Sequence, residues 1–206
     1  MNKREQHRQM RKMQIMECSM DLFITRGYAA TGIRDIATRL SISTGLFFNY
    51  FESKEALYLE LVRVGVNTPR ELFLQCLAAP SPIHVLTEIA KVILGALRES
   101  SFTAKMFLLM TQAISSESAP DSVKQLVSGF DMVTPIIEVI EKGQAAGQIR
   151  EGNPYAIAVA FWGAVQGIAE YAALTPSLPL PEPEWIVQML KPAKDVYSTN
   201  FKTNPF

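Results

Sequence analysis

Apolar residues in this chain recur three and four apart, and no stretch sustains the alternation of a half-buried strand. That periodicity commits the chain to an all-α fold. Ile15, Cys18, Ser19, Leu22 and Phe23 fall on one face of a first helix that ends at Gly27, a residue suited to a helix C-cap. Thr31 reads as the N-cap of a short amphipathic helix carrying Ile33, Ile36, Ala37 and Leu40. Ser41-Ile42-Ser43 breaks that pattern, and Ser43 caps a further short helix through Tyr50. Ser53 opens a longer helix containing Ala56, Leu57, Leu59 and Leu61. The first three of these helices, the second and third joined by a tight turn, make a helix-turn-helix.

Punctuation divides the remainder. Pro80 and Pro82 precede a helix over about 83–98, and Ser100-Ser101 opens another through about 114. A polar stretch, 115–121, leads into one long helix reaching Ala146. After Gly147, Gly152 and Asn153, a small-residue-rich helix runs from Pro154 to about Leu174. Pro176, Pro179, Pro181 and Pro183 form an extended connector, and a final helix starts near Glu184. Two units are expected: a basic arm with a helix-turn-helix over 1–54, and a larger helical unit over 55–206.

Charge supports that division. The 206 residues carry 20 Lys+Arg and 20 Asp+Glu, a formal charge of zero. Residues 1–64 hold ten basic against seven acidic side chains, a net of +3; residues 65–206 hold ten against thirteen, a net of −3. Lys3, Arg4, Arg8, Arg11 and Lys12 face only Glu5 within the first dozen, a net of +4. Such a run is either a solvated tail or an arm that neutralises phosphates beside a reading head.

Several classes are disfavoured. Cys18 and Cys76 make neither a disulfide framework nor a zinc site, and two histidines, His7 and His84, cannot build a multi-histidine metal centre. No paired-carboxylate or nucleophile motif argues for an enzyme, so no catalytic residue, metal or cofactor is expected. The basic N-terminus lacks the apolar stretch of a signal peptide. The longest nearly apolar run, Ala156 to Val165, has ten residues, against about 20 for a membrane span. The expectation is a cytoplasmic protein.

Gly27-Tyr28-Ala29-Ala30-Thr31-Gly32-Ile33-Arg34-Asp35-Ile36-Ala37, then Ile42-Ser43-Thr44-Gly45-Leu46-Phe47-Phe48-Asn49-Tyr50-Phe51 and Ser53-Lys54-Glu55-Ala56-Leu57, resemble the signature of the TetR family of bacterial transcriptional regulators. The likeness covers about Ile15 to Leu59 with its spacing intact. It implies a recognition helix over Ser43–Asn49, and phosphate contacts at the positions of Thr31, Tyr50 and Lys54.

The chemistry agrees. A major groove about 12 Å wide admits one helix, whose N-terminal residues face the base edges. Ser43 and Thr44 stand there, and Gly45 lets the backbone approach closely. Phe47 and Phe51, four apart, read as core. Arg34 either reaches DNA or stays solvated. Phe48 departs from the family's usual Tyr, and Leu46 from its usual small or hydroxylated residue. These two either touch thymine methyl groups or pack internally, leaving Thr44, Asn49 and Lys3, Arg4 and Arg8 of the arm to contact the duplex.

For the larger half, the resemblance implies ligand binding and dimerisation through the last two long helices. Ala156, Ala160, Gly163, Ala164 and Gly167 form a face that another helix can approach closely, and Trp185, Ile186, Met189 and Leu190 form a bulky one. The expected pocket wall comprises Phe102, Met106, Phe107, Met110, Ile114, Phe130, Met132 and Trp162. His84, Gln112, Asp131, Gln166, Glu170 and Tyr171 are the candidate polar groups. The implied protein is a homodimer that reads a palindromic operator in double-stranded DNA and responds to a bulky, weakly polar effector. Repression is the family's habit; activation, or a helical binding module without DNA contact, are the alternatives. The long helix starting at Lys54 is the expected lever between the halves.

Overall fold

The computed structural model describes residues 2–177 and 179–192, and the last stretch of the larger unit, 193–206, lies outside them. Ten helices and no strand are found among the described residues. In chain order they are α1 (Lys3–Ala30), α2 (Ile33–Arg39), α3 (Thr44–Phe48), α4 (Lys54–Cys76) and α5 (Pro82–Glu99). Then follow α6 (Ser101–Ser115), α7 (Asp121–Ser128), α8 (Thr134–Ala145), α9 (Pro154–Leu174) and α10 (Pro183–Gln188).

The N-terminal arm is helical and continuous with α1. Asn2 caps it, its Oδ1 accepting from the Arg4 N–H at 3.3 Å. Gly27, at φ +81°, breaks the helical path shortly before the end assigned to α1. That left-handed conformation is cheap only for a residue without Cβ. Ser43 and Ser53 cap α3 and α4 as expected, each Oγ accepting an N–H in the first turn of its helix. Each such cap contributes roughly 1 kcal/mol.

Three expectations need correction. Thr31 does not cap α2; Gly32 occupies that position, with its N–H donating to Asp35 Oδ2 at 2.7 Å. Thr31 is instead 1% exposed, its hydroxyl in reach of the Leu22 and Gly27 carbonyls of α1. The long helix expected to reach Ala146 is two helices. Gly129 ends α7, and Asp131 Oδ1 accepts from the N–H groups of Val133 and Thr134 to start α8. Hydrogen bonds from Thr134, and then from Val133, hold the Asp131 carboxyl below its usual range. Finally, the last described helix is not long: α10 has six residues.

Two cores organise the helices. One gathers Leu86, Ile89 and Leu94 of α5, Ile136 and Ile140 of α8, Phe161 and Val165 of α9, and Ile186 and Leu190 at α10. The other centres on Phe23, Ile36, Phe47, Phe51, Leu57 and Leu61 of the N-terminal helices. It does not stop at residue 54: Leu109, Met110 and Ala113 of α6 and Val123 of α7 complete it. Gly65 makes this possible, because a Cβ there would collide with the Met110 side chain as α6 crosses α4.

Candidate nucleic-acid interface

The second and third helices pivot on a tight turn. Ser41 adopts φ +53°, and the Ile42 N–H reaches back to the Ala37 carbonyl at 2.9 Å. This throws α3 outward with one residue as its anchor. Phe47 is 0% exposed and packs on Phe51, ring centroids 5.9 Å apart. Ser43, Thr44, Gly45 and Asn49 are exposed around it. The alternatives for the two unusual residues separate here. Phe48 is 52% exposed, touching Phe47 edge-on at 5.6 Å, while Leu46 is half-buried.

The candidate phosphate contacts are placed unequally. Arg34, Lys3, Arg4 and Arg8 are exposed. The Thr31 side chain is sealed inside and offers a phosphate no hydroxyl. Lys54 is half-buried, donates to the Tyr28 carbonyl at 2.8 Å, and lies 4.1 Å from the centre of the Tyr28 ring. Burial lowers its pKa. Its first task is thus to pin the start of α4 to the end of α1, with two of its three N–H donors left over. Tyr50, half-buried, stands between α3 and the arm.

The arm and α3 enclose a groove of about 1010 Å³ lined by Asn2, Lys3, Arg4, His7, Arg8, Arg11, Leu46, Asn49 and Tyr50. His7 and Arg11 were not among the expected contacts. Their spacing was the available signal, since residues 3, 4, 7, 8 and 11 share a helical face. A helix end with exposed hydroxyls and an amide, flanked by a basic groove, is suited to a nucleic-acid duplex.

Residues 15–61 match the family model of bacterial regulatory proteins of the tetR family. Over those residues the chain is similar to the TetR family. An uncharacterised HTH-type regulator, YerO of Bacillus subtilis, is 34% identical over 130 residues, 60% of this chain and 43% of that protein. The chain thus spans under half the length of the curated relatives it matches. Among solved structures, the ketosteroid regulator KstR2 of Mycobacterium tuberculosis superimposes with a TM-score of 0.71 at 17% identity, covering 89% of this chain and 96% of that one. AibR, solved with isovaleryl coenzyme A and operator DNA, gives 0.67 at 18%, covering 88% and 98%. At such identities the likeness is one of fold.

The expected ligand wall is divided between the two cores. Met106, Met110, Phe102 and Phe130 pack in or against the N-terminal core, and Phe107 and Trp162 against the other. Phe102 also lines a cleft of about 560 Å³ between α1, the turn after α2 and the start of α6. There Asp21 pairs with Lys105 at 2.7 Å and Arg39 at 3.7 Å. Ile114 is exposed and Met132 half-buried.

Of the polar candidates, His84 Nδ1 is bonded to Ser81 Oγ, Gln112 ties α6 to the Ile24 carbonyl, Asp131 caps α8, and Tyr171 is exposed. Gln166 and Glu170 do come together. Gln166 Nε2 donates to Glu170 Oε1 at 3.0 Å, and the Thr111 hydroxyl of α6 lies 3.2 Å from the same oxygen. One turn before Gln166, the Trp162 indole N–H is buried with no acceptor among the described residues. Native structures rarely leave such a donor unpaired, at a cost of about 1–3 kcal/mol.

One helix exceeds the sequence reading: α9 is long and apolar enough to cross a membrane by length and composition alone. Its buried side packs on α5, α6 and α8. Only 28% of its most apolar stretch is buried, however, and Tyr155, Val159, Gly163, Tyr171 and Leu174 are exposed along it.

Proposed function

We propose that this protein is a homodimeric, effector-responsive transcriptional regulator, acting inside the cell as a repressor that leaves a palindromic operator when its effector binds. The observation that carries the DNA half is the anchoring of α3. Buried Phe47 fixes the helix while Ser43, Thr44 and Asn49 remain free to reach base edges in a major groove. The open, small-residue and apolar face of α9, together with exposed Trp185 and Met189 beside α10, supports pairing with a second copy. Two-fold pairing presents two recognition helices to half-sites about 34–36 Å apart, or a multiple of that spacing.

The effector reading rests on the Trp162, Gln166, Glu170 and Thr111 group between α6 and α9, where hydrogen-bonded polar side chains lie one turn from an unsatisfied donor. The fold neighbour that holds an acyl thioester and operator DNA supports the pairing of such functions on this architecture. Coupling has a direct route, because α6 belongs to the same core as Phe47. A shift of α6 acts on α1 through Lys105–Asp21 and Gln112–Ile24 as well as on α4. The lever expected at Lys54 is thus one of two. Effectors of this kind change DNA affinity about 5- to 150-fold.

Selection of bound fragments from a random duplex pool tests the reading. A two-fold symmetric motif should be enriched by the full-length chain and lost with Thr44→Ala plus Asn49→Ala. Recovery of unenriched sequence by the wild-type chain would remove its basis.

A further inference from the structure

The arm is a helix continuous with α1 rather than an extended tail, and this limits what it can do on DNA. A helix is about 10–12 Å across with its side chains. The minor groove, the usual target of extended basic arms, is only about 6 Å wide. A helix therefore cannot enter it to read base edges. The major groove beside α3 is already taken by α3 itself on the reading proposed above.

What remains is the phosphate backbone, and the arm is built for it. At about 100° per residue, Lys3, Arg4, His7, Arg8 and Arg11 lie within an arc of roughly 140°, and all five line the groove against Leu46, Asn49 and Tyr50. Glu5, the one carboxylate nearby, falls outside that arc and accepts from Gln9. From Lys3 to Arg11 the stripe is about 12 Å long, enough to reach about three successive phosphates of one strand. Its base is secured: Lys12 donates to Glu60 of α4 at 2.7 Å and lies 5.6 Å from the centre of the Phe51 ring.

We infer that the arm is a sequence-neutral phosphate clamp, with Lys3, Arg4, Arg8 and Arg11 gripping one backbone strand that runs between the arm and α3. It supplies affinity and salt dependence, while selectivity belongs to α3. This rests on the DNA-binding reading above but is tested separately from it.

The experiment measures binding of the full-length chain to a mixed-sequence duplex between about 50 and 200 mM salt. Replacement of Lys3, Arg4, Arg8 and Arg11 by Ala, the strongest helix former, keeps the arm helical, which far-UV circular dichroism checks. The slope of log affinity against log salt should flatten by about 3 per bound protomer, near 0.9 for each phosphate no longer neutralised. Arg8→Gln alone, at an exposed site, should flatten it by about 1. The motif recovered from a random pool should be the same for variant and wild type. A slope change under about 1 for the fourfold variant would overturn the clamp. So would loss of preference at particular base pairs, because the arm would then be reading sequence. A flattened slope with no motif recovered by the wild type would support the clamp and sink the reading of α3.

Discussion

The N-terminal head buries three phenylalanines as its anchor and leaves hydroxyls, cations and Phe48 outside, whereas the α9–α10 surface leaves much of its apolar bulk outside. Phe23, Phe47 and Phe51 are sealed, with Thr44, Asn49 and Arg8 exposed around them. On the other side Tyr155, Val159, Tyr171, Leu174 and Trp185 are exposed, Trp185 at 70%. The contrast fits the partners proposed above, a duplex for the head and a second copy for the α9–α10 surface. Phosphates and base edges reward fixed polar groups on a rigid support, so the head spends its apolar residues on rigidity. An exposed apolar helix face is costly in water and is offset when another protein surface covers it.

The strongest way to break this comparison is at the head's anchor. Phe47→Ala should cost about 3–5 kcal/mol, because α3 has only five residues and no other wholly buried side chain. Urea unfolding measures it, and a loss under about 1 kcal/mol would show that α3 is held by something else. Since this core includes Leu109 and Val123, unfolding of α6 and α7 should follow that of the head.

The opposite surface comes next. Val159→Arg places a charge on the open α9 face and should weaken self-association by about 2 kcal/mol or more, some thirtyfold. Sedimentation velocity reads the shift to monomer. A dimer of unaltered affinity would move the interface elsewhere. Monomeric wild-type protein would leave the apolar face without its assigned partner.

A smaller effect sharpens the division within the head. Asn49→Ala should lower affinity for the selected motif by about 1–3 kcal/mol and relax preference at one position, with mixed-sequence binding little changed. Equal losses on both duplexes would make Asn49 a backbone contact.

Alkaline pH probes the aromatic cluster of Phe23, Tyr28 and Tyr58, where α1 meets α4. Burial, and then neighbouring Tyr28, pushes the Tyr58 phenol up to about 12, and burial followed by Glu55 raises Tyr28 as well. A phenol whose folded pKa is raised keeps its full contribution below about pH 10 and loses it as pH climbs toward 12. Stability should fall across that window in the wild type and fall less in Tyr58→Phe. Denaturant midpoints at successive pH values check it, and parallel curves would place Tyr58 in contact with water.

Much of this was legible in one dimension. Helix periodicity, the caps at Ser43, Ser53 and Ser100, and the breaks at Gly27 and Pro154 act within a turn or two, and so does the spacing that marks the family. Even the break between α7 and α8 had its signal in Gly129, Asp131 and Pro135, outweighed by the apolar residues on either side.

What the tertiary structure alone decided concerns side chains whose partners are far along the chain. Thr31 and Lys54 look like phosphate ligands in sequence, but the carbonyls of α1 claim the Thr31 hydroxyl and the Lys54 ammonium binds Tyr28. The apolar wall from Phe102 to Trp162 looks continuous, yet α6 turns one face to each core and divides it. Periodicity shows that a face is apolar, not which helix it meets, because that depends on how all the helices share the same volume.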